Sequence, residues 1–135
     1  HHQGLLLSWK IRTGLSRGVS TDRIKTYADW FYKTYLIPHF EEEEKHLFPI
    51  LGNDHILVKK AIAQHRRLDR LFKSTSELKK SLNHIEEELE QHIRFEERVL
   101  FNEIQKVGTE QQLQFILEHH NQTKFLENTT DRFWE

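Results

Sequence analysis

Residues 74–103 read STSELKKSLNHIEEELEQHIRFEERVLFNE, and this stretch decides the fold. Leu78, Leu82, Ile85, Leu89, His92, Glu96, Val99 and Glu103 recur at steps of three and four, the spacing that brings side chains onto one face of an α-helix. The residues between them are mostly Glu, Lys, Gln and Arg, all good helix formers. Ser74 with Glu77 has the form of a capping box that opens the helix, and Gly108 marks its end. A helix with one apolar face needs other helices to cover that face.

Working outward, Gly52-Asn53-Asp54 reads as a turn with Asp54 as N-cap, followed by a helix whose stripe is Leu57, Ala61, Ile62, His65, Leu68 and Phe72. Before it, a longer helix runs from a cap at Ser20 or Thr21 to Leu51 through Ile24, Tyr27, Phe31, Tyr35, His39, Glu43, Leu47 and Ile50. Pro38 lacks a backbone N–H and is expected to kink it just before His39. A short first helix reaches about Arg12, with Leu5, Leu6 and Trp9 on one side, before Gly14 and Gly18 break it. After Gly108, Thr109 and Gln112 can cap a short fifth helix through Leu113, Ile116 and Leu117, and Phe125, Phe133 and Trp134 mark a tail packed on the rest. Long helices with short connections imply an all-α, antiparallel up-and-down four-helix bundle. A single domain is expected over 1–135, with 109–135 as its short helix and tail.

The bulk composition narrows the chemistry. Lys plus Arg number 20 against 21 Asp plus Glu, and no block of like charge is long enough to hold nucleic acid or an anionic membrane. No apolar run approaches the ~20 residues of a membrane span, and no leader pattern is present, so a cytoplasmic location is the expectation. The chain begins His1-His2 and has no Met, so residues upstream of position 1 are expected. Cys is absent, which excludes disulfides, thiolate ligands and thiol catalysis. Ten histidines in 135 residues, in a class of side chain that globular domains keep scarce, call for a reason.

The reason lies in an internal echo. HFEEEEKHLF at 39–48 and HIRFEERVLF at 92–101 both have the form H-x-x-x-E-E-x-x-L-F. A histidine and a glutamate four apart lie one above the other on a helix, so His39 with Glu43, and His92 with Glu96, can reach one point in the core. His92 and Glu96 interrupt an apolar seam, and His65 interrupts another between Ile62 and Leu68. Polar groups in such places must be paired or metal-bound. The first helix offers His2, before Leu5 and Trp9, with His1 as its alternate. Glu44 and Glu97 sit about 100° off the seam and are alternates to their neighbours.

A lone histidine on an apolar stripe is ordinarily a hydrogen-bonded core residue, and a run such as Glu41–Glu44 is ordinarily a solvated face. Four such histidines in parallel, with an echoed glutamate pair, change that reading. His46 shares the stripe of His39 but is matched by Val99 in the echo, and reads as structural, with a metal role as the alternate. It also completes a Glu43-x-x-His46 pattern of ferritin type, which needs a second Glu-x-x-His that the chain lacks. His55, His84, His119 and His120 lie off the seams and read as surface residues. The expected donors are thus His2, His39, Glu43, His65, His92 and Glu96. Imidazole with bridging carboxylates suits a pair of Fe ions, with Zn or Mn as possible substitutes. An incomplete shell leaves room for dioxygen, nitric oxide or peroxide.

These features taken in order resemble the hemerythrin-like, or HHE cation-binding, family: His2 with Leu5, His39 to Glu43 followed by Leu47-Phe48-Pro49, His65 with Leu68, and His92 to Glu96. The resemblance covers nearly the whole chain. It implies a four-helix bundle with a non-heme di-iron centre, bridged by Glu43 and Glu96 and by an oxo or hydroxo group. One departure stands out. Oxygen-carrying hemerythrins place two histidines four apart on the third helix, whereas Ala61 and Asp69 flank His65 here. That points away from pure oxygen carriage and towards sensing, redox or nitric-oxide chemistry, or an iron-responsive module acting on a protein partner. The lack of Cys separates the chain from relatives that repair iron–sulfur clusters through a Cys-bearing segment.

Overall fold

The computed structural model describes residues 2–120 and 125–135, with side chains described for 2–115 and 125–135. His1 and the side chains of Ile116, Leu117, His119 and His120 therefore lie outside the described residues. Among the described residues every regular element is helical. In chain order these are α1 (His2–Ser16), α2 (Thr21–Phe31), α3 (Ile37–Glu42), α4 (Ile56–Lys73), α5 (Leu78–Phe95), α6 (Phe101–Val107) and α7 (Glu110–His120). A π turn at Tyr32–Leu36 joins α2 to α3, and a second at Glu43–Leu47 leads into a 3₁₀ turn at Phe48–Ile50. A third, at Glu96–Leu100, joins α5 to α6. Four long helical stretches result: α1, 21–50, α4 and 78–107. α5 packs against α1, α2 and α4. Among the described residues no helix is long and apolar enough to cross a membrane.

The π turns correct the seam read from the sequence. Each closes a bond from residue i+5 back to residue i: Ile37 N–H to Tyr32 O, Phe48 N–H to Glu43 O and Phe101 N–H to Glu96 O. A π turn holds one residue more than an α turn, so every later position rotates. Beyond Glu96 the inward residues are therefore Leu100 and Ile104, both buried, whereas Val99 is 41 % exposed and Glu103 only half-buried. Pro38 lies in the first turn of α3, and the π turn just before it absorbs the backbone bond that proline cannot make.

Helix ends differ from expectation in similar ways. Ser74 caps the C-terminus of α4, bonding Ser76 O, and α5 starts instead from Glu77 in the left-handed conformation. The N-cap of α4 is His55, whose Nδ1 accepts from Leu57 N–H at 3.1 Å, rather than Asp54. The Thr109/Gln112 box forms reciprocally, with N···O distances of 2.9 and 3.1 Å. α1 continues through Gly14 to Ser16. Its buried face is Gly4, Leu7, Ser8, Ile11 and Gly14, while Trp9 faces solvent. Gly14 does not break the helix but admits a neighbour, since a Cβ there would lie 2.8 Å from the Phe133 ring and 2.9 Å from Ile24 Cδ1.

Phe133 is buried against that glycine, and residues 125–135 are held along α1 and α2 by polar links as well. The buried Lys10 ammonium bonds Tyr27 Oη at 2.8 Å and Glu127 at 2.6 Å, with the Trp134 ring 4.1 Å from it. Arg23 forks onto Asp131, and Arg17 donates to Trp134 O. The apolar interior divides into two clusters. The larger joins α1, α2, α4 and α5, and the smaller comprises Leu47, Phe48, Val58, Ala61, Leu100 and Ile104.

Candidate metal centre

Between the two clusters lies a polar group that neither can absorb. Glu43, His65, His92 and Glu96 are all buried, and each offers a donor atom within 4.8 Å of the others. Each echoed glutamate opens a π turn, so a local widening of the helix coincides with the inward carboxylate in both repeats. Such turns commonly mark functional positions. α4 supplies His65, whose ring is stacked on Phe40 at 3.9 Å and lies 4.8 Å from the ring of His92.

The two imidazoles present the same atom inward. His65 Nε2 stands 3.2 Å from Glu43 Oε1 and 3.8 Å from Glu96 Oε1, and His92 Nε2 abuts Glu96 Oε1. Neither nitrogen has a hydrogen-bond alignment with its carboxylate neighbour. Both have outer partners that are acceptors: Glu44 Oε2 lies 3.0 Å from His65 Nδ1, and Gln64 Oε1 lies 2.5 Å from His92 Nδ1. With Nδ1–H donated outward, Nε2 is left to carry a proton or a metal bond, the arrangement usual for ligating histidines. Burial alone pulls the His65 imidazolium pKa down, but Glu43, Glu96 and Glu44 outweigh it and push it up to about 10. The group thus attracts positive charge strongly, and a cation between the four donors satisfies them together.

Size agrees with chemistry. The four donor atoms lie within 4.8 Å of one another, a spread on the order of that between donors that would share first-row ions with bonds of about 2.1 Å. Imidazole and carboxylate together suit Fe, Zn or Mn and exclude no divalent first-row ion. The residues present therefore fit a metal.

His39 joins the edge of this group, 24 % exposed, with Nε2 3.4 Å from Glu43 Oε2. His2 does not join it: it is exposed on α1, two positions before Gly4 and so on the opposite side from the buried face. The alternates separate too. Glu44 orients His65 from a position 42 % exposed, and Glu97 is exposed and faces Arg94. His46 is exposed against the ring of Phe115, 5.5 Å away. On α4, Asp69 accepts from the Tyr32 hydroxyl and pairs with Lys73 at 2.9 Å, so it is held away from the four donors. Gln64 and Phe40 were missed by sequence reasoning, and polarity beside a seam histidine was the only available sign of Gln64. The π turns did leave a trace: His46, a polar residue, occupies the place of Val99 in the echo, and both are exposed.

Comparison with known proteins adds no relative: no family model, no curated protein and no solved structure matches the chain.

Proposed function

We propose that the chain is a hemerythrin-like, antiparallel up-and-down four-helix bundle. It holds a pair of iron ions and binds or senses a small ligand such as dioxygen, nitric oxide or peroxide. The observation that carries this reading is the buried quartet Glu43, His65, His92 and Glu96, with inward Nε2 atoms oriented from outside by Glu44 and Gln64. Four buried titratable groups at one point are costly unless a cation or protons reconcile them. His39 stands where it can add a fifth donor. Iron is favoured over zinc because the two carboxylates can bridge, a use that carboxylate-bearing bundles make of paired iron. When bound, iron would supply an open coordination position for the ligand, and the chain supplies a largely aromatic enclosure around it.

With Asp69 turned to Tyr32 and Ala61 apolar, α4 gives one histidine to the group. That asymmetry supports sensing or redox use over carriage. The test is iron content and the optical spectrum of protein expressed with iron and purified in air, beside Glu96→Ala prepared identically. About two irons per chain with a near-ultraviolet charge-transfer band, both lost in the variant, is the expected result. Iron absent from both proteins, with no rise in melting temperature on adding it, would overturn the reading.

A further inference from the structure

One side of the quartet opens into a cavity of about 200 Å³ that a diatomic ligand does not need. Its floor is made by His39, His92 and Glu96. One wall is apolar: Leu89 and Ile93 from α5 line it with an aromatic group in which Phe31, Tyr35 and Phe125 have ring centroids 4.9–5.9 Å apart. Gln3, Thr34 and Glu42 also line it. A closed apolar cavity of about 150 Å³ accepts benzene, so this one has room for a single ring with a substituent. The lining holds two carboxylates, Glu42 and Glu96, and no Lys or Arg, so an anionic guest has no counter-charge in the lining.

We propose that this cavity is a binding site for a neutral, single-ring organic molecule bearing one hydroxyl group, a phenol or a close analogue. Its ring lies among Phe31, Tyr35 and Phe125 and, in the metal-free protein, its hydroxyl is directed to His39, which is 24 % exposed at the floor. In the metal-free protein the hydroxyl donates to the His39 imidazole, and the ring finds edge-and-face partners of its own kind. A pocket with apolar walls and a few convergent polar groups is the usual form of a small-molecule site. The proposal deepens the metal reading, since the floor residues belong to the same centre, but the walls do not depend on metal.

The experiment titrates phenol into metal-free and iron-treated protein of measured iron content, following backbone amide shifts in the metal-free form and calorimetry in both. Saturable binding is expected in the metal-free protein, with the largest shifts at Gln3, Thr34 and Tyr35, and benzoate binding at least tenfold weaker. Thr34→Trp, at an exposed position on the rim, is expected to keep the melting temperature and lose at least tenfold in phenol affinity. Phe125→Ala, which widens the space, is expected to admit 1-naphthol where the parent does not. Phenol that fails to saturate, benzoate binding as tightly as phenol, or a folded Thr34→Trp that binds phenol as the parent does would overturn the proposal. Should Thr34→Trp not fold, unchanged exclusion of 1-naphthol by Phe125→Ala would do so. Phenol binding without iron uptake upholds the cavity and removes the metal reading, and iron uptake without phenol binding does the reverse.

Discussion

Gln64 and Glu44 never face the interior donors, yet each fixes which nitrogen of a buried histidine points inward. Loss of such an outer partner typically weakens metal binding 10–100-fold without removing a ligand. Gln64→Leu is therefore expected to lower iron affinity by about one to two orders of magnitude, read by competition with a chelator, while Gln64→Glu retains most of it. Equal affinity in the parent and the leucine variant would mean that the bond to His92 orients nothing. Gly14 illustrates a different residue-scale constraint, a backbone approached by the Phe133 ring. Gly14→Ala gains about 0.5–1 kcal/mol of helix propensity, but overpacking costs about 1–3 kcal/mol. Net destabilisation is expected in thermal melts, together with faster amide exchange in residues 125–135.

At the scale of the element, the three π turns explain why the periodicity of two long helices fails part-way. Ile104 lies eight residues beyond Glu96 and is buried, although an uninterrupted α-helix would bring Glu103, seven beyond, closer to the face of Glu96. Removing one residue from that turn returns it to α geometry with Leu100 and Ile104 still facing the core. Deletion of Arg98 is thus expected to leave a cooperatively folded protein melting within about 5 °C of the parent, a change on the order of 1 kcal/mol. Deletion of Glu87, in the middle of α5, rotates Leu82 and Ile85 against Leu89 and Ile93 by about 100° and is expected to abolish the cooperative transition. Equal tolerance of both deletions by circular dichroism would remove the π-turn account.

Over the whole molecule, the tail and the first two helices are joined through a charge buried far from the quartet in sequence. Lys10 is enclosed by Tyr27 and Trp134 and neutralised by Glu127. Burial pushes the Glu127 carboxyl up, but Lys10 and Tyr27 outweigh that and hold its pKa below the usual carboxylate value of 4.5. A carboxylate depressed in the folded state stabilises it above its unfolded pKa, and that contribution is lost as pH falls through the lower folded value. Below pH 4.5 the tail is expected to loosen, seen as faster amide exchange at 125–135. Glu127→Ala should produce the same loosening at neutral pH and cost about 1–3 kcal/mol, because Lys10 is left buried without its partner. Unchanged exchange in that variant would show that the Lys10–Glu127 pair does not hold the tail.

How much was legible in the sequence follows from the range over which each feature is decided. Helical class, the Thr109/Gln112 cap and the pairing of His39 with Glu43 and His92 with Glu96 depend on residues within one or two turns, so spacing alone determined them. The meeting of His65 with both glutamates, the exclusion of His2 and the diversion of Asp69 to Tyr32 depend on how separate helices rotate and slide against one another. No local pattern records that register. The π turns stand between the two: each is local in extent, but it pays only where widening the helix lets a buried carboxylate and the next apolar layer both face inward, and that balance belongs to the packed tertiary structure.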